Sequence, residues 1–238
     1  MQGSRRPPAR DERLIVALDV PTAREARALA ERLGDAVRFY KVGLELFSTE
    51  GYFALIEWLV GRGNKVFADL KLFDIPETVR RATANLSRSG AAFLTVHAHP
   101  SVLAAAAAEK GAMRVLGVTV LTSFDQSDLA EMGATKSLAD LVEDRARATL
   151  EAGCDGVISS PHEAASLKRR FGERLLVVTP GIRPAGQGQG DQKRTMDAAQ
   201  AFKAGADYIV VGRPVRDARD PRAAAEAIQR TIATIFPA

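Results

Sequence analysis

Eight short apolar runs, each followed by a helical stretch, constrain this 238-residue chain more than any single motif does. The runs begin at Leu14, Val37, Val66, Phe93, Arg114, Gly156, Leu175 and Asp207. Short β-branched runs that alternate with helical segments describe parallel strands joined by crossover helices. Eight such alternations in a chain of this length fit an α/β closed barrel, the (β/α)8 TIM barrel, better than an open sheet. A doubly wound dinucleotide fold would carry a glycine-rich loop after its first strand, and Asp19-Val-Pro-Thr22 is not one. Hydrophobic residues make up 46% and aromatics only 6%, which suits helices packed on a parallel sheet through Ala, Val, Leu and Ile. The expected organisation is one barrel domain over 13–238 behind a disordered basic tail over 1–12.

Charge and cysteine usage narrow the setting. The net charge of +4 is modest, the basic residues are scattered, and no aromatic-basic patch appears, so no nucleic-acid partner is expected. The single cysteine, Cys154, has no internal disulfide partner and fits a reducing compartment. It sits at a helix-to-strand junction, where a small packed residue is expected rather than a nucleophile. No apolar run approaches the ~18 residues of a membrane span. The N-terminal arginines are not followed by the apolar core of a secretory signal. A cytoplasmic protein without membrane contact is the expectation.

A parallel barrel brings the C-terminal ends of its strands to one mouth. Here those ends carry Asp19, Lys41, Asp69 with Lys71, His97, Thr122 with Ser123, Arg183 and Arg213, while the strand bodies are apolar. Charge recurring at the ends of apolar runs marks a site, because unpaired charge buried on an inward face is costly. The third run holds the densest cluster. Asp69 and Lys71 are two apart, so on a regular strand they share a face, and Asp74 precedes Ile75-Pro76 at the entry to a helix. Four glycines lie between Gly181 and Arg194, which reads as a long lid loop after strand seven. With Gly212-Arg213 after strand eight, that loop occupies the place where barrels bind phosphate. His97 and His99 could share a face, but neither a third histidine nor a carboxylate stands beside them, so no metal site is expected.

These residues carry a resemblance. Asp69-Leu-Lys-Leu-Phe-Asp-Ile-Pro76 resembles the Asp-x-Lys-x-x-Asp-Ile-Pro element that follows strand three in orotidine 5′-phosphate decarboxylases. Thr179-Pro-Gly-Ile-Arg183, Gly190-Asp-Gln-Lys-Arg194 and Val211-Gly-Arg-Pro214 resemble the family's phosphate-gripping segments, and Leu121-Thr-Ser123 the segment that meets the pyrimidine. The similarity runs from about Leu14 to the C-terminal helix. Two positions depart from it: Phe73 stands where His or another polar or aromatic residue is common, and Glu77 where Asn is usual.

The resemblance implies decarboxylation of orotidine 5′-monophosphate at C6 to uridine 5′-monophosphate, the last step of de novo UMP synthesis, with no metal or organic cofactor. It makes Lys71 the group that stabilises and protonates C6, within an array of Lys41, Asp69, Lys71 and Asp74. It assigns substrate binding to Asp19, Lys41, Asp69, Ile75, Thr78, His97, Thr122, Ser123, Pro180, Arg183, Gln192, Gly212 and Arg213. It also implies a homodimer in which Asp74 reaches the partner's site. Two alternatives stand beside it. A Mg²⁺-dependent sugar-phosphate lyase or decarboxylase of the same superfamily would carry an acid where this chain has Lys41. A non-catalytic barrel would bind a nucleotide phosphate or, through the tail, a nucleic acid.

Overall fold

The computed structural model describes residues 7–183 and 194–237. Eight parallel strands follow one another around a closed barrel: β1 (Leu14–Ala17), β2 (Phe39–Gly43), β3 (Lys65–Leu72), β4 (Phe93–His97), β5 (Arg114–Val118), β6 (Gly156–Ile158), β7 (Leu176–Thr179) and β8 (Tyr208–Val211). β8 pairs back onto β1, with Leu14 opposite Ile209 and Val16 opposite Val211, so the sheet has no free edge. The expected (β/α)8 barrel is therefore the observed fold.

Local sequence explains the major helices. Thr22 caps Ala23–Leu33 by accepting from the Glu25 N–H, and proline opens Pro76–Ser87, Pro100–Glu109 and Pro221–Ile235. The region expected to be helical over 126–152 divides into Gln126–Glu131, opened by an Asp125–Asp128 capping box, and Leu138–Glu151. Six short pieces were not anticipated: Leu44–Phe47, Ala198–Lys203, Arg213–Arg216, and 3₁₀ turns over Gly34–Ala36, Gly172–Arg174 and Arg10–Glu12. The Arg10–Glu12 turn lies inside the segment expected to be a disordered tail. Glu12 pairs with Lys65 at 2.5 Å, and the Asp11 carbonyl accepts from Gln229 at 3.2 Å. The packed part of the chain thus begins before residue 13.

Strand alternation separates two cores. Leu14, Val16, Tyr40, Val42, Val66, Ala68, Leu94 and Val96 face the helices. Ile15, Ala17, Phe39, Phe67, Phe93, Leu116, Val178, Tyr208 and Val210 fill the barrel. Phe93 meets Phe39 edge to face at 4.9 Å and Tyr208 at 5.2 Å, with Phe67 at 5.9 Å. This aromatic layer forms a floor. On β2, β3 and β4 the inward residue two positions after the floor phenylalanine is polar: Lys41 after Phe39, Asp69 after Phe67 and Thr95 after Phe93.

Candidate active site

Above that floor the strand ends enclose a cavity of about 460 Å³. Asp19, Lys41, Asp69, Lys71, Thr122, Ser123, Pro180, Arg183, Gly212 and Arg213 line it, ten of the residues anticipated from sequence. They arrive from six different strands, as expected where eight strand ends converge.

The charges alternate. Lys41 Nζ lies 2.8 Å from Asp19 Oδ1 and 3.4 Å from Asp69 Oδ2, and Lys71 Nζ lies 2.8 Å from Asp69 Oδ1. Burial opposes the charge on both Lys41 and Asp69. The attraction of Asp69 and Asp19 prevails at Lys41 and holds it above the usual lysine value. At Asp69 the two lysines, their hydrogen bonds and that of Thr95 overcome burial and hold the carboxyl below the usual aspartate value.

Lys71 reaches this position by an irregularity. Ala68 pairs with Leu94 and Leu72 with Val96, so four steps along β3 are matched by two along β4. The surplus residues bulge, and Lys71 sits at φ 48°, the one non-glycine residue with positive φ among the described residues. A left-handed lysine costs on the order of 1–2 kcal/mol, a strain that persists where surrounding contacts impose it. Asp69 and Lys71 do meet, but through this bulge and not through regular alternation.

Other anticipated residues stand apart from the cavity of the single chain. Asp74, Ile75 and Thr78 are exposed, and Asp74 Oδ1 accepts from the Ile75 N–H at 2.6 Å. His97 closes β4 with its ring 5.3 Å from that of Phe73. Its basicity is held below the usual histidine value by burial and by the positive Arg145 and Lys71. Gln192 lies outside the described residues. Arg194, from a segment that resembles a phosphate grip, instead pairs with Glu163 and donates to the Leu121 carbonyl at 3.2 Å. It ties the chain after β7 to the strand-five loop that carries Thr122 and Ser123. Nearby, Ile182 and Met196 form a parallel bridge.

Two contributors escaped the sequence reading. Arg216 lines the cavity and donates to the Asp19 carbonyl at 2.5 Å. Thr95 is fully buried behind Asp69. The period-two pattern of β4 places Thr95 inward, but nothing local reveals its partners. Of the two departures, Glu77 pairs with Arg80 and Arg81 on its own helix, and those contacts lower its carboxyl to about 2. Phe73 packs its exposed ring edge-on against His97. Cys154 is buried, donates to the Leu103 carbonyl, and has its thiol pushed up to about 12 by burial, which suits packing rather than nucleophilic attack.

The profile of the Orotidine 5′-phosphate decarboxylase / HUMPS family matches residues 12–228. The chain belongs to the orotidine 5′-phosphate decarboxylase / HUMPS family. Within it, the chain is 54% identical over 228 residues to an orotidine 5′-phosphate decarboxylase of Methylococcus capsulatus, covering 95% of this chain and 94% of the relative. It is 53% identical to one from Rhodopseudomonas palustris, covering 95% and 97%. A crystal structure of orotidine 5′-phosphate decarboxylase from Lactobacillus acidophilus superposes with a TM-score of 0.83 at 36% identity, covering 93% and 99%. One from Pyrococcus horikoshii gives a TM-score of 0.73 at 30% identity, covering 92% and 98%. No helix among the described residues of this family member is long and apolar enough to cross a membrane.

Proposed function

We propose that this barrel decarboxylates orotidine 5′-monophosphate to uridine 5′-monophosphate, the closing step of de novo UMP synthesis, in a cytoplasmic setting. The observation that carries the reading is the unbroken Asp19–Lys41–Asp69–Lys71 chain of charges on one wall of the cavity. Breaking the bond from C6 to the carboxylate leaves an electron pair on C6 that the pyrimidine ring does not delocalise as an enolate. A fixed ammonium offsets that charge without having to reorganise, which is where preorganised electrostatics contributes most. Lys71 fills this role. As CO₂ departs, Lys71 delivers a proton to C6 and is reprotonated from solvent.

Asp69 and Lys41 hold Lys71 in register, and Asp69 stands where the substrate carboxylate would feel its like charge. Asp19 lies at the ribose, and Thr122 and Ser123 face the base. Arg183, Arg213 and the backbone N–H of Gly212 hold the phosphate together with Gln192, and Pro180, which has no N–H to give, lines the pocket beside them. An arginine fork suits a dianionic oxygen face, and grip on that remote group is best spent in the transition state.

Asp74, with Ile75 and Thr78 beside it, completes the site across a homodimer interface, while His97 stays on the Lys71 side of its own chain. Asp74, Ile75 and Thr78 are exposed in the single chain, and Phe73 and Ile75, flanking Asp74, are each 67% exposed. An apolar rim beside an exposed carboxylate is what a subunit that completes its neighbour's site would present.

Lys41 also favours this reading over a Mg²⁺-dependent sugar-phosphate reaction. Its ammonium already lies between the carboxylates of Asp19 and Asp69, where a divalent ion would need them. The test is the ultraviolet band of orotidine 5′-monophosphate followed with purified protein in excess chelator, beside Lys71→Ala. Steady loss of the band with wild type alone is the expected result. A turnover that appears only when Mg²⁺ is restored would transfer the chain to the sugar-phosphate class.

A further inference from the structure

The Thr95 hydroxyl is shared between the two groups on which the proposed decarboxylation turns. Thr95 Oγ1 accepts from the backbone N–H of Lys71 at 2.9 Å and donates to Asp69 Oδ1 at 2.9 Å. A hydroxyl carries one proton, so accepting from the Lys71 N–H directs that proton to the carboxylate. Asp69 Oδ1 thereby receives both the Thr95 hydroxyl and the Lys71 ammonium. One side chain thus fastens both ends of the Asp69–Lys71 unit, the carboxylate and the backbone that positions the ammonium.

Other buried threonines do not resemble it. The hydroxyls of Thr119 and Thr149 donate to the backbone carbonyls of Ile158 and Arg145. Thr95 instead joins a carboxylate to a backbone N–H displaced from the β3–β4 ladder by the bulge at Lys71. That N–H is part-buried, and without its acceptor the left-handed turn at Lys71 would lose a contact that holds it.

We propose that Thr95 is a positioning residue for the decarboxylation, fixing the Lys71 backbone and the Asp69 carboxylate relative to each other so that the ammonium stands at C6. The inference rests on the decarboxylase reading and goes beyond it, because Thr95 does not line the cavity and so acts through Lys71 and Asp69. Its effect belongs in kcat more than in substrate affinity, since the groups it orders act on the breaking bond and not on the phosphate.

The charged and titratable groups facing the unit are Asp19 and Lys41 from the ends of β1 and β2, the buried Tyr52 phenol from a helix after β2, Asp69 and Lys71 from β3, and His97, two residues beyond Thr95 on β4. Only Asp69 receives the Thr95 proton. Loss of the hydroxyl removes one of the contacts that keep Asp69 ionised, so the acid limb of the rate profile moves to higher pH.

Thr95→Val keeps the shape and removes the hydroxyl, and Thr95→Ser keeps the hydroxyl. The measurements are kcat, KM and the pH profile of kcat for orotidine 5′-monophosphate, uridine 5′-monophosphate affinity, and thermal unfolding. A hydrogen bond to a charged group implies a loss of kcat of roughly ten- to a hundredfold for Thr95→Val. KM and product affinity should stay near wild type, the acid limb should move up, and Thr95→Ser should recover most of the rate. If Thr95→Val does not fold, Thr95→Ala takes its place in the same comparison. Near-native kcat without the hydroxyl, or a Thr95→Ser rate as low as that of Thr95→Val, overturns the assignment while leaving the decarboxylase reading intact. A wild-type protein that does not turn over the substrate overturns both.

Discussion

Lys71 holds its ammonium 2.8 Å from Asp69 Oδ1 on a backbone bent into the left-handed region. The proposed catalytic side chain and the strained main chain are thus the same residue, and two substitutions separate their effects. Lys71→Ala and Lys71→Gly both lose the ammonium and are expected to stop decarboxylation while the barrel folds. Glycine accepts positive φ, whereas alanine pays the steric cost. Lys71→Gly should therefore be the more stable of the two by roughly 0.5–1 kcal/mol after its larger chain entropy is counted. Urea midpoints decide this, and the reverse order would remove the strain from Lys71.

Gly43 gives room to the Lys41 ammonium. A methyl group there would stand 3.0 Å from Lys41 Nζ and 3.4 Å from Asp19 Oδ1. Its φ of −105° is open to any residue, so the effect of Gly43→Ala should fall on the charge chain and not on the backbone. We expect a loss of kcat/KM of about tenfold, since small misplacements in a preorganised site are costly, with thermal stability changed little. Unchanged kinetics in a folded Gly43→Ala protein would show that Lys41 has slack.

The Lys41–Asp69 pair should leave a mark on stability against pH. Asp69, held below the usual 3.8, contributes stability that is full above 3.8 and is lost as pH falls through its folded value. Lys41, held above the usual 10.5, contributes stability that is full below 10.5 and is lost as pH rises through its folded value. The pair therefore supports the fold across the neutral range. Denaturant midpoints taken below pH 4 should fall less steeply for Asp69→Asn than for wild type. Equal slopes would mean that Asp69 adds nothing to the acid response.

Shared sites make a distinctive prediction for mixtures. If Asp74 serves the partner's cavity, Lys71→Ala and Asp74→Asn are each inactive alone, but a hybrid dimer holds one site with both native residues. Equal mixing with subunit exchange should restore about a quarter of wild-type activity, because half the dimers are hybrids and half their sites are intact. No recovery in a mixture shown to exchange subunits would confine Asp74 to its own chain.

Much of the site was legible because it follows two periodicities. The eight apolar runs give the strands, and their polar ends give Asp19, Lys41, Asp69, Thr122, Arg183 and Arg213, all at the cavity. Alternation within β2, β3 and β4 even repeats one pattern, a phenylalanine followed two positions later by Lys41, Asp69 or Thr95. Thr95 was passed over because threonine is ordinary in a strand, and its importance lies in partners 24 and 26 residues away. Arg216 was passed over because it sits in a short helix after β8, and its partner Asp19 is 197 residues distant.

The sequence alone determined the barrel and the identity of the charges at its mouth, since strand and helix periods and the polarity of strand ends are properties of neighbouring residues. Only the tertiary structure decided how those charges meet. The mismatch between β3 and β4 that turns Lys71 left-handed is a relation between two strands, not a feature of either. The capture of Arg194 by Glu163 and the outward face of Asp74 likewise depend on which surfaces the closed barrel brings together and which it leaves exposed. A chain's own periodicity cannot specify a contact whose geometry is set by a neighbouring strand, and in this barrel the relation of the ammonium to its carboxylates is set by such contacts.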